Sequence, residues 1–302
     1  MHLFRLFLLL SLLTVCSLLP QRAMSQTMMK AGQVDVFMGV DFNYRDIFYD
    51  KVYDFLIYLT PGVKWYMGKG WMAAAQVLVP VVNDYGDYYK RVRLNMAVLS
   101  KEMRTADKRW WLKVSGGLFD EERYGLDLKG AYIVNSWMAL EAQAGLTGRC
   151  SMADGWTAST PERLTGLVGA DFYLKPWNTE LRVRGGRFVY EDVGGQAELM
   201  RHFRHCTVGL YGEYSDKAQW NGGFKVVMMV PPYSRKRRRV NFRPATNFRL
   251  TYNVEAEAYS NKMYMTDPEE NERERWFRRD EFKWGANLME PDFNIKDKEA
   301  GQ

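Results

Sequence analysis

Histidine is nearly absent from this chain: there are three in 302 residues, one of them at position 2. That leaves His202 and His205 as candidate general bases. No nucleophile elbow, phosphate loop or dinucleotide fingerprint accompanies them. An enzyme is therefore the weaker class, with no catalytic residue and no cofactor to name. Cysteine is as sparse, at three. Cys150 and Cys206 can be joined in an oxidising compartment or stand as separate thiols. His202, His205 and Cys206 cluster, but no further ligand stands at a spacing diagnostic of zinc, so no metal is assigned. Long uncharged apolar runs are missing beyond the first twenty residues, which excludes a helical membrane protein. Aromatics reach 15%, which excludes a disordered chain. The soluble-looking hydropathy leaves a membrane β-barrel open, because barrel strands alternate polar and apolar residues.

The N-terminus has the three parts of an export signal: Arg5, the apolar run Leu6–Leu19, and small residues Ala23 and Ser25 before Gln26. Residues 1–25 are read as a signal peptide. Its removal takes Arg5 and Arg22 and no acid, so the mature chain stays basic.

From about residue 30 to 255 the pattern has period two, not 3.6. Val34, Val36, Met38 and Val40 oppose Asp35, Gly39 and Asp41. Leu59, Val63 and Trp65 form a second stripe, and Trp71, Ala73, Ala75, Val77, Val79 and Val81 a third. Val92, Leu94, Met96 and Val98 alternate with Arg91 and Arg93, and Leu112 and Val114 with Lys113. Leu181 and Val183 alternate with Arg182 and Arg184. About twelve such stripes follow one another, with the length of tilted bilayer-crossing strands. The expected fold is all-β: an antiparallel outer-membrane β-barrel over residues 26–265, in the envelope of a Gram-negative bacterium. Arg91, Arg93, Lys113, Lys129, Arg182, Arg184 and Lys225 then face the lumen, with Asp127, Glu141, Asp171 and Glu180. The opposite register would place charges in lipid, at about 2–4 kcal/mol each at midplane.

Short turns at 67–70, 135–136, 175–178 and 215–220, with a slightly longer one at 100–109, alternate with longer segments at 43–54, 82–90, 147–163, 190–205 and 231–247, and only residues 120–123 break the alternation. Short periplasmic turns and long outer loops are the outer-membrane arrangement. Trp65, Trp71, Trp110, Trp137, Trp177 and Trp220 sit beside turns, where an interfacial girdle belongs. Residues 266–302 differ in kind. Asp267, Pro268 and Glu270 suit an N-cap, first position and third position of a polar helix over 268–284, followed by a loose tail. This periplasmic segment is a candidate docking element for another protein.

The basic run Arg235, Lys236, Arg237, Arg238 and Arg239 falls in a loop that this topology puts outside the cell. Its guanidinium groups suit phosphates or carboxylates. Lipopolysaccharide and acidic polysaccharide are the expected partners. Nucleic acid is not expected for an exported chain.

Several phrases resemble the YjbH (YbjH-like) exopolysaccharide-biosynthesis outer-membrane proteins. They are Gln76-Val77-Leu78-Val79-Pro80-Val81-Val82-Asn83, Trp111 through Phe119 with Tyr124-Gly125, and Arg201-His202-Phe203 leading to Gly222-Gly223-Phe224-Lys225 and Val230-Pro231-Pro232. The likeness covers roughly residues 70–255. It implies a barrel serving secretion or assembly of extracellular polysaccharide, with no catalytic residues to carry over. A structural barrel of a secretion or conjugation machine is the alternative, and a lipid-modifying enzyme a further one. The charged end Lys296–Gln302 departs from the terminal aromatic strand of many barrels.

Overall fold

The computed structural model describes residues 31–47, 51–105, 107, 109–152, 156–203, 206–228, 239–253 and 263–270. The signal segment, Arg235–Arg238, His205 and everything beyond Glu270 lie outside the described residues. The strands are β1 (Gln33–Ile47), β2 (Lys51–Gly68), β3 (Trp71–Asn83), β4 (Arg93–Arg104), β5 (Trp110–Phe119), β6 (Arg123–Asn135), β7 (Met138–Ser151), β8 (Thr157–Ala158), β9 (Arg163–Leu174), β10 (Thr179–Arg187), β11 (Val193–His202), β12 (Cys206–Ser215), β13 (Gln219–Met228), β14 (Val240–Pro244) and β15 (Phe248–Asn253).

They form one large mixed sheet. Its order is β14-β1-β2-β3-β4-β5-β6-β7-β9-β10-β11-β12-β13-β15, with β8 attached to β7. Neighbours pair antiparallel except β1 with β14, which run parallel. The two ends of this path, β14 and β15, are sequence neighbours separated by residues 245–247. Tight connections explain the meander. Lys69 and Gly70 both take positive φ (53° and 81°), as a two-residue hairpin turn requires. A Cβ on Gly70 would also lie 2.0 Å from the Glu102 carbonyl oxygen.

The faces divide by polarity in an unusual sense. Asp35, Lys64, Lys113, Asp171, Glu180 and Glu198 are buried, while Val63, Val168, Leu210 and Phe242 are exposed. Phe242 is 75% exposed and Asp171 0%. The inward charges and outward stripes thus follow the expected alternation. The exposed tryptophans Trp65, Trp71, Trp110, Trp137 and Trp177 stand at the rim that carries turns 69–70, 136–137 and 175–178, whereas Trp156 and Trp220, also exposed, stand at the opposite rim. At the first rim Trp110 packs on Tyr132, with ring centroids 4.6 Å apart, and Trp137 on Phe172 at 6.0 Å.

Three expectations change. Residues 43–54 are not a long loop, because β1 runs to Ile47 and β2 starts at Lys51. Residues 190–205 hold a full strand, β11, paired with both β10 and β12. Its outward positions include Gly195 and Arg201 and its inward ones Gly194, so it shows little polarity contrast. This extra strand reverses the direction of everything after it. The end of β13 at Met228 and the start of β14 at Val240 therefore lie at the same rim as turns 69–70 and 136–137, not the opposite one. Finally, the stripe Val92–Val98 is broken. Gln76 pairs with Met96 and Val77 with Leu94, which leaves Asn95 as a bulge. Val92 is exposed, whereas Met96 and Val98 turn inward and are buried.

Candidate functional site: a polar interior spanned by residues 263–270

The inner face is not empty beside β1, β2, β5, β6, β9 and β14. Residues 263–270 lie against it, held by two kinds of contact. The first is apolar. Tyr264 stacks on Phe119, with centroids 5.2 Å apart and planes 5° from parallel, within a cluster of Met96, Val98 and Val189. Met263 and Met265 pack on the same cluster. The Tyr264 hydroxyl donates to Asp127 Oδ1 (3.0 Å) and meets Thr165 Oγ1 at 3.2 Å. Burial and then Asp127 push this hydroxyl's pKa up, which keeps its proton in place as the donor. Gly145 makes the approach possible, since a Cβ there would sit 1.7 Å from the Tyr264 hydroxyl.

The second is ionic. Asp267 meets Lys64 Nζ at 2.5 Å and Lys113 Nζ at 3.6 Å. Glu269 meets Lys64 Nζ at 3.0 Å and accepts a paired hydrogen bond from the Arg243 guanidinium, at 2.6 Å through Nη2. Arg243 Nε also donates to Asp35 Oδ2 (3.0 Å), and Asn241 to Asp35 Oδ1 (3.1 Å). Lys129 Nζ donates to Glu270. Burial works to raise the pKa of Asp267, but Lys64 and Lys113 outweigh it and hold the group well below the usual carboxylate range. Glu269, beside Lys64 and Arg243, and Glu270, beside Lys129 and Lys113, are each lowered to about 2 against the same burial.

These contacts also bend the sheet. Lys64 is on β2 and Thr165 on β9, and flat strands about 4.8 Å apart would separate those two strands by roughly 30 Å. One eight-residue segment reaches both, so the sheet rolls around it. At the expected helix start the chain makes a turn, and positions 271–284 lie outside the described residues. Glu269 N donates to Asp267 Oδ1 (2.9 Å), Glu270 N to the Asp267 carbonyl (3.0 Å), and Thr266 N to Glu270 Oε2 (3.0 Å). The expectation that this segment projects away from the sheet as a docking element is not met for 266–270. Its acids face wall cations rather than solvent, and Asp267 and Glu269 are almost wholly buried.

Toward the other rim lies a cavity of about 1490 Å³, lined by Tyr58, Arg93, Arg163, Arg182 and Tyr190 and bounded by Pro268 and Glu270. Arg93 lies over the rings of Tyr58, Tyr88 and Tyr89 at 5.6, 5.4 and 5.7 Å. Arg182 Nη2 donates to Glu141 Oε2 (2.6 Å), and Arg184 Nε to Gln196 (2.8 Å). Of the sequence-predicted lumen cations, Arg93, Lys113, Lys129, Arg182, Arg184 and Lys225 reach the cavity. Arg91 does not: it is exposed in the bend before β4. In the basic run, Arg239 is described and exposed, and its carbonyl accepts from Val34 N at 2.8 Å.

His202 is buried, with Nε2 3.0 Å from Glu180 Oε2 and Nδ1 2.9 Å from Thr207 Oγ1. Both ring nitrogens are thus occupied by wall groups, an arrangement that braces strands β10, β11 and β12. Among the described residues no group of metal-ligating side chains assembles, and Cys150 and Cys206 are both free thiols. Sequence reasoning missed Lys64, Arg243 and the acids that meet them. Asp35 and Arg243 stand 208 residues apart, and no local pattern joins them. The chain matches no known family model and no curated protein.

Proposed function

We propose that this chain is an outer-membrane β-barrel with a polar, occupied lumen that takes part in secretion or assembly of an extracellular or capsular polysaccharide. The observation that carries the membrane reading is the distribution of polarity. Charges such as Lys64, Asp171 and Glu180 are shielded, and Val168, Leu210 and Phe242 face outward. In water this wastes the hydrophobic effect, whereas in a bilayer it keeps the charges away from lipid and greases the outer surface. In this reading β14 and β15 act as one kinked strand that joins β1 to β13 and closes the ring. The rim that carries Trp65, Trp71, Trp110, Trp137 and Trp177 marks the periplasmic interface, and Arg239, which precedes β14, stands at that rim. An anionic cargo is then its natural partner.

The polysaccharide part rests on the phrases shared with YjbH-like proteins and on a cavity lined by tyrosines and arginines, larger than the roughly 300–1,000 Å³ of common ligand pockets. Deleting the gene and measuring secreted and capsular polysaccharide tests it. Loss or retention of the polymer inside the cell is expected. Unchanged secreted and capsular polymer would refute the role.

A further inference from the structure

The cations under residues 263–270 are arranged as a site in their own right. Lys64, Lys113 and Arg243 are buried, come from three different strands, and converge on a short stretch of chain. Lys129 adds a fourth from β6 at the half-exposed edge. Three wall carboxylates stand beside them: Asp35 against Arg243, Asp127 near Lys129, and Asp120, which accepts from Met265 N and also lies near Lys129. The remaining negative charge comes from Asp267, Glu269 and Glu270, which belong to the segment and not to the wall. If the segment withdrew, four cations would be left with three fixed acids, and the inner face would keep an excess of positive charge in a low-dielectric setting. Such a face recruits carboxylate or phosphate oxygens, and Arg243 offers the forked geometry that binds them in pairs. The depressed pKa values of Glu269 and Glu270 report how strongly these cations favour an anion.

We propose that residues 263–270 are a plug that stands in for an anionic glycan on a lumenal ring made by Lys64, Lys113, Lys129 and Arg243, and that an acidic polysaccharide displaces it. This inference rests on the outer-membrane reading above. The segment is built for reversible seating. Its apolar end, Met263 to Met265, is anchored near the cavity, and its acidic end occupies the charged ring. The cavity is lined by Met263, Tyr264 and Met265 as well as by Pro268 and Glu270, and it reaches Lys113 and Lys129 of the ring, so a polymer entering there meets both the segment and the cations under it.

The test is conductance of the full-length protein in planar bilayers, comparing wild type with the D267N/E269Q/E270Q variant. Wild type should insert and conduct weakly. The variant should conduct at least tenfold more and prefer chloride over potassium. Oligogalacturonate should block the variant at concentrations where maltohexaose, a neutral glycan, does not. The single variant Glu270→Gln, at the half-exposed edge, covers the case in which the triple variant does not fold. It should show a smaller rise of the same sign and the same selectivity. If wild type fails to insert, the outer-membrane reading and this proposal fall together. If wild type inserts but neither variant gains anion-selective conductance, or if the neutral glycan blocks equally well, the plug proposal alone falls.

Discussion

Arg243 shows how much one side chain can hold. It binds Asp35 on the neighbouring strand and Glu269 on the docked segment, and its guanidinium lies 5.6 Å from the Phe37 ring centre. Removing one member of a buried ion pair leaves the others uncompensated, which costs about 3–5 kcal/mol. Arg243→Met is therefore expected to lower the unfolding free energy by about that amount. A denaturant midpoint within error of wild type would contradict it. The acids give a second prediction. Glu269 and Glu270 are held at about 2 in the folded protein, below their ordinary value of 4.5. A depressed carboxylate pKa contributes stability that is fully present above the unfolded value and is lost as pH falls through the folded one. The segment should thus stay seated at neutral and mildly acidic pH and release between about 4.5 and 2. Thiol labelling of Met265→Cys, with Cys150 and Cys206 changed to serine, reads this directly. Protection should persist down to the mildly acidic range and fall only in strong acid.

At the scale of elements, the alternation was legible where side chains contrast, as in β3, β5 and β10. It failed where they do not. In β11, glycines at 194 and 195 and an outward Arg201 erase the period, and the strand passes for a loop. Missing one strand then reversed the direction expected of every later strand. Cysteines placed at Lys69 and Arg239 should react with an impermeant thiol reagent from the same side of the membrane, and one at Lys217 from the other. Labelling of Arg239→Cys together with Lys217→Cys would contradict the strand order. The inward orientation of Lys113 and Arg182 was equally legible, because charge alternates with apolar residues on one strand. Their partners were not. Asp267 and Glu269 carry the same local signal whether they begin a solvated helix or fill a cavity, and only tertiary contact separates the two. Gly145 belongs to this scale too. Gly145→Val should push Tyr264 off β7, leave the sheet paired, and raise labelling of Met265→Cys at neutral pH.

For the whole molecule, polarity ties the parts together. The sheet has charges on its inner face, valines and leucines on its outer face and exposed tryptophans at its rims, and the proposed bilayer setting accounts for all three. The interior is then organised rather than open: Glu180 and His202 brace one end, the ions around residues 263–270 cross the middle, and the cavity faces the other rim. The most direct test is fractionation of cells expressing the untagged chain, followed by electrophoresis with and without boiling. The account predicts recovery only in the detergent-extracted outer-membrane fraction, with a compact unboiled form that slows on heating. A monomer recovered in the aqueous periplasmic extract without detergent would contradict it.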